Sequence, residues 1–186
     1  MAKNSQDELS FAFKMTVADY RRMMYFNTFS RQPRQTKFLF IAWAISLSLI
    51  LLEYFALIAP LEKVTHGCLL LVSALIPVLV GTAEFAVYRF KSNHPEELRA
   101  ERIITFTEEG LEQTRDDRKN AYFENWDEFE YVYETGAMFI FYRSARQITL
   151  LPKRAVPPDE LATVRKFLSD KIAEYRTKKG PKILAI

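Results

Sequence analysis

The chain has 186 residues, 49% of them hydrophobic, with 26 Lys and Arg against 23 Asp and Glu and a formal net charge of +3. That small excess argues against a nucleic-acid binder, and a single cysteine, Cys68, excludes an internal disulfide and any multi-cysteine metal site. Mean hydropathy is slightly negative despite the apolar content, so strongly apolar stretches must be offset by markedly polar ones.

Residues 1–36 read as a strand followed by an amphipathic juxtamembrane helix. Phe11, Phe13 and Met15 alternate with Ala12, Lys14 and Thr16, the period of a half-buried strand. Thr16 is placed to cap a helix with Asp19 three residues on, a capping-box arrangement. Val17, Tyr20, Met23, Met24 and Phe26 or Phe29 give that helix an apolar side, and Pro33 is expected to end it. Arg21, Arg22 and Arg31 suit a helix lying on the inner leaflet; packing against the C-terminal domain is the other reading.

Residues 37–90 contain two apolar stretches, Phe38–Ile58 and a second from about residue 67 to residue 88, separated by a short connector. A bilayer-crossing helix needs about 20 mostly apolar residues. Both stretches meet that length, and a transmembrane helical hairpin is expected. The alternative, a hairpin buried in a soluble core, is hard to accommodate in so small a protein. Lys14, Arg21, Arg22, Arg31, Arg34 and Lys37 precede the first stretch, and Arg89, Lys91, Arg99 and Arg102 follow the second. The connector offers only Lys63, so the positive-inside rule places both termini in the cytoplasm. The first stretch starts late for a signal peptide, lacks a cleavage site of small residues, and is read as retained. Residues 1–37 hold seven Lys and Arg against three Asp and Glu, whereas residues 91–186 hold 17 of each. The basic excess is therefore juxtamembrane, where it can meet anionic headgroups.

Residues 91–179 read as a small cytoplasmic domain, with residues 180–186 as a tail. Strands are expected at Ile103–Thr107, Leu111–Thr114, Ala121–Trp126, Phe129–Glu134, Ala137–Arg143 and Gln147–Leu151, with turns at Glu108-Glu109-Gly110, Gly136 and Ser144-Ala145-Arg146. Pro157-Pro158-Asp159-Glu160 opens a helix whose stripe is Leu161, Val164, Leu168, Ile172 and Tyr175, and Gly180-Pro181 is expected to stop it. The fold class is thus an α+β membrane protein. A two-helix transmembrane hairpin is joined to an antiparallel-sheet cytoplasmic domain closed by a C-terminal helix.

Three features in this order carry a family resemblance: Phe106-Thr107-Glu108-Glu109-Gly110-Leu111, then Trp126 on a later strand, then Leu151-Pro152-Lys153-Arg154-Ala155-Val156 before a final helix. The chain resembles the YcxB-like bacterial membrane proteins, and the resemblance extends upstream through the hairpin. The strand order with one closing helix also looks, more loosely, like a bacterial pleckstrin-homology-type (PH-like) domain. The resemblance implies this architecture and a bacterial inner-membrane location. It implies no chemistry.

No Ser–His–acid set, Walker loop, dinucleotide-binding turn or zinc spacing occurs. No catalytic residue, cofactor or metal is expected. His66 and His94 fall in different compartments under this topology. Glu53 and Glu84 are the acids inside the spans, and ionisable residues there are candidates by default. In an antiparallel hairpin they differ in depth by roughly 15 Å, given a rise of about 1.5 Å per residue. They are expected not to pair with each other, but to reach headgroups or to serve an oligomer contact or cation path. Trp126 is expected in the core, and Asp116-Asp117-Arg118-Lys119 in a solvated loop. Lys153 and Arg154, beside a strand end, are candidates to grip an anionic headgroup or a partner carboxylate, together with Arg21 and Arg22. The functional expectation is a membrane-anchored, non-enzymatic binding or regulatory module of the bacterial inner membrane. Its partners would be the lipid bilayer and a protein or anionic lipid, with no nucleic acid. The alternative is a subunit of a membrane complex or homo-oligomer whose hairpins assemble in the bilayer.

Overall fold

The structure is a computed structural model, and it describes residues 9–117, 121–144, 147–172 and 175–177. The chain divides into two compact units, residues 21–90 and residues 1–20 with 91–186.

The first elements follow from local chemistry. Strand β1 (Leu9–Lys14) buries Phe11 and Phe13 on one face, as its alternation predicts. Helix α1 (Val17–Tyr25) opens on a reciprocal capping box. The Asp19 N–H donates to Thr16 Oγ1 at 3.2 Å, and the Thr16 N–H and hydroxyl donate to Asp19 Oδ2 at 2.9 and 2.7 Å. A π-helical turn, Phe26–Ser30, follows, in which the Arg31 N–H donates to Phe26 O. The helical run stops at Ser30, just before Pro33, and the pre-proline residue Gln32 leaves the helical region at φ −120°, ψ 74°; Pro33 also opens the next helix. It is the first residue of α2 (Pro33–Tyr54), where its missing N–H is not needed and its fixed φ suits the helix.

Helices α2 and α3 (Lys63–Asn93) are long and apolar enough to cross a membrane. The first ends at Tyr54 rather than Ile58. Leu57 N–H reaches back to Leu52 O and Ala56 N–H to Glu53 O, both at 2.9 Å. This is a Schellman stop with Ala56 in the left-handed position, φ 55°. The connector is therefore residues 55–62, and α3 begins earlier than its apolar run. Pro77 lies inside α3 and has no N–H to give the Ser73 carbonyl. That carbonyl instead accepts Trp43 Nε1 from α2 at 2.9 Å. Beside it, buried Ser46 donates to Leu69 O at 2.6 Å and lies 3.1 Å from Ser73 Oγ. Elsewhere the apolar surface is open: Phe38, Ile41 and Ile45 of α2 and Leu71, Val78 and Phe85 of α3 are exposed.

After the short helix α4 (Pro95–Arg99), seven further strands follow among the described residues: β2 (Glu101–Phe106), β3 (Gly110–Arg115), β4 (Tyr122–Asn125), β5 (Tyr131–Glu134), β6 (Met138–Tyr142), β7 (Ile148–Pro152) and β8 (Tyr175–Thr177). With β1 they form two four-stranded sheets, β1-β2-β3-β4 and β7-β6-β5-β8. All neighbours are antiparallel except β5 and β8, which are parallel. Trp126 is not on a strand. A 3-10 turn, Trp126–Glu128, separates β4 in one sheet from β5 in the other. The Trp126 ring is buried as expected, and its Nε1 donates to Thr107 O at 2.9 Å.

The core lies in this unit. All five residues of β6 are buried, the pattern of a strand covered on both faces. Phe106, Trp126, Phe129 and Phe141 form a cluster of edge and tilted ring contacts, and Phe167 of helix α5 (Leu161–Lys171) stacks on Phe106 and meets Trp126 edge-on. Val164, Leu168 and Ile172 are buried along the expected stripe. The helix stops at Lys171, however, with Ile172 extended, and Tyr175 lies on β8 rather than on the helix. The expected stop at Gly180-Pro181, the turn residues Ala145 and Arg146, and the loop residues Arg118 and Lys119 lie outside the described residues. At the β2–β3 turn, Gly110 packs so closely on β4 that a Cβ there would stand 2.1 Å from Glu124 O.

Candidate functional site

The sequence candidates fall into two sets, one in each unit. Lys153 and Arg154 occupy a 3-10 turn, Lys153–Ala155, directly after β7. The turn is held because Lys153 N–H donates to Ala137 O at 2.8 Å. Lys153 Nζ stands 2.5 Å from Glu134 Oε1 and 5.2 Å above the Phe139 ring. Arg165 Nη2 reaches the same carboxylate oxygen at 2.8 Å. Glu134 is only 5% exposed at its side chain, so these two cations neutralise a buried acid.

Arg154 does the same for a second buried acid. Its Nη1 donates to Asp19 Oδ1 at 2.5 Å, and its Nη2 donates to Lys14 O at 2.7 Å. The Asp19 side chain is 2% exposed and that of Arg154 is 45%. Burial pushes the Asp19 carboxyl up, but hydrogen bonds from Arg154 and Thr16 and the guanidinium charge outweigh it. The group is held below its ordinary value. Arg154 thus ties β1 and the start of α1 to the β7 end. Both cations expected at a ligand surface are engaged with the protein's own carboxylates.

In the other unit, Arg21 Nε lies 3.1 Å from Glu84 Oε1, and the Tyr25 hydroxyl donates to the same oxygen at 2.9 Å. Glu53 is held at the opposite end of the hairpin. Its Oε2 is 2.6 Å from His66 Nδ1, and its Oε1 accepts the Leu61 N–H at 3.1 Å. Each intramembrane candidate therefore has its own partners, and neither touches the other. Arg22 is exposed, with no partner among the described residues. A third acid, Glu124, is buried on β4. Desolvation raises its pKa against a hydrogen bond from Thr149 and the charge of Arg143.

Sequence reasoning missed a groove of about 500 Å³ in the unit of residues 21–90. Its lining runs from Asn27, Gln32 and Gln35 to Leu39, Ala42 and Leu75. The available signal was the cluster of uncharged hydrogen-bonding residues, Asn27, Thr28, Gln32, Gln35 and Thr36, just before the apolar run. Among the described residues, no three His, Cys, Asp or Glu side chains gather in a way that could hold a metal.

Residues 106–168 match the family model of YcxB-like protein. The match runs from the end of β2 into α5. It includes Trp126, Glu134, Lys153, Arg154 and Arg165, while α1, α2 and α3 lie outside it. No protein of curated function and no solved structure matches the chain.

Proposed function

We propose that the protein is a membrane-anchored, non-enzymatic binding or regulatory module of the bacterial inner membrane. Its helical hairpin spans the bilayer and its two-sheet unit is cytoplasmic. The observation that carries this reading is the place of the hairpin in the chain. Strand β1, before it, pairs residue for residue with β2, after it, from Leu9↔Phe106 to Lys14↔Glu101. Two hydrogen-bonded strands must lie on one side of a membrane, so an even number of crossings must separate them. Two apolar helices with open surfaces supply that number. A soluble protein of this size would bury such surface. Basic residues on both flanks favour the cytoplasmic side for the two-sheet unit. The pleckstrin-homology-type likeness remains part of the proposal.

Lys153 and Arg154 act in this reading as positioning residues. Contact with anionic headgroups falls to exposed cations near the membrane entry, Arg22, Arg34 and Lys37. Each basic residue near an anionic surface contributes about 1 kcal/mol. Flotation with vesicles rich in phosphatidylglycerol, set against neutral vesicles, tests the assignment after detergent-mediated addition of the full chain. Arg22→Ala with Arg34→Ala and Lys37→Ala should remove most of the preference for anionic lipid. An unchanged preference assigns the lipid contact elsewhere.

Assembly of hairpins into a homo-oligomer or larger complex is the second reading. It draws on Gly67 and Gly81, where the space a Cβ would occupy is open. Small residues at such positions allow close helix approach.

A further inference from the structure

The groove in the unit of residues 21–90 changes character along its length. Gln32 and Gln35 offer carboxamides at the start of α2, and Leu39 and Ala42 further along α2 line it with Leu75 of α3 as apolar surface. Among the described residues, the exposed carboxamides of Gln32 and Gln35 have no hydrogen-bond partner. From Gln32 to Ala42 a helix rises about 15 Å. That is half of the roughly 30 Å hydrocarbon thickness, and therefore the depth of one leaflet. The volume, about 500 Å³, lies within the roughly 300–1,000 Å³ of ligand pockets.

We propose that this groove holds one glycerophospholipid of a single leaflet. Its phosphate and ester oxygens accept hydrogen bonds from the carboxamides, and one acyl chain lies along Leu39, Ala42 and Leu75. Arg34 and Lys37, which flank Gln35 in sequence, put positive charge at the phosphate end. Inorganic phosphate could occupy the polar end alone and would leave the apolar wall uncovered. The proposal rests on the membrane-anchored reading.

The test is native mass spectrometry of the full chain after extraction in mild detergent and a delipidating wash. Wild type should retain one phospholipid, as should Ile41→Trp at an exposed position of α2. Ala42→Trp fills the groove from α2 and Leu75→Trp from α3, and each should lower retention at least tenfold. Gln32→Leu with Gln35→Leu leaves the apolar lining in place and should lower it several-fold; this pair decides the matter if a tryptophan variant does not fold. Wild type stripped of phospholipid, or equal retention in groove variants and wild type, would overturn the proposal. Release of the chain from membranes by alkaline wash would instead overturn the anchoring. A chain that stays embedded yet keeps no lipid defeats the groove alone.

Discussion

Arg154 is the residue where charge, burial and chain connection meet. Its guanidinium bonds a 2% exposed carboxylate and the Lys14 carbonyl, so Arg154→Ala leaves a buried acceptor unsatisfied. The expected cost is about 1–3 kcal/mol, discounted for the half-exposed guanidinium. The sign of its pH dependence follows from Asp19, whose folded-state pKa lies below its ordinary value of 3.8. A depressed carboxylate contributes stability that is present above the unfolded value and lost as pH falls through the folded one. The destabilisation by Arg154→Ala should therefore be full at pH 7 and shrink below about pH 4. Thermal melts at both pH values check this. An equal shift at both would mean that Asp19 is not its partner in stability. The candidacy of Lys153 and Arg154 was legible from their place at a strand end. Their partners were not, because Asp19 lies 135 residues from Arg154 and local pattern carries no such information.

At the scale of elements, the two helices of the hairpin are tied together where proline removes a backbone hydrogen bond from a continuous α3. Pro77 orphans the Ser73 carbonyl, and the Trp43 indole donates to it across the two helices. Trp43→Phe should destabilise the hairpin in detergent, and less so in a Pro77→Ala background, where a backbone N–H at that position can take the carbonyl back. A coupling of roughly 1 kcal/mol is expected from a double-mutant cycle of unfolding; strictly additive costs would contradict it. The helices themselves were legible, because 3.6-residue and 2-residue periods and long apolar runs are local signals. The capping box at Thr16 and Asp19 was legible for the same reason. Element ends were less so. Apolar composition continues through Ala56 while the backbone turns left-handed, and Tyr175 continues the α5 stripe while it pairs with Val132. The division into two sheets was hidden because Trp126 keeps strand-like alternation where the chain turns over.

Across the whole molecule, the pairing of β1 with β2 makes the hairpin an insertion between neighbouring strands of one sheet. Sequence alternation marked β1 as a strand but could not name its partner on the far side of the hairpin, since register across an insertion is a tertiary property. The groove escaped for a related reason: its polar end and apolar wall come from the turn before α2, from α2 and from α3. Anchoring and topology together are the central claim, and single-cysteine labelling in intact cells tests it most directly. With Cys68 replaced by Ser, Glu62→Cys in the connector should react with a membrane-impermeant maleimide from outside. Lys166→Cys on α5 should react only after lysis. Labelling of both from the same side would contradict the account.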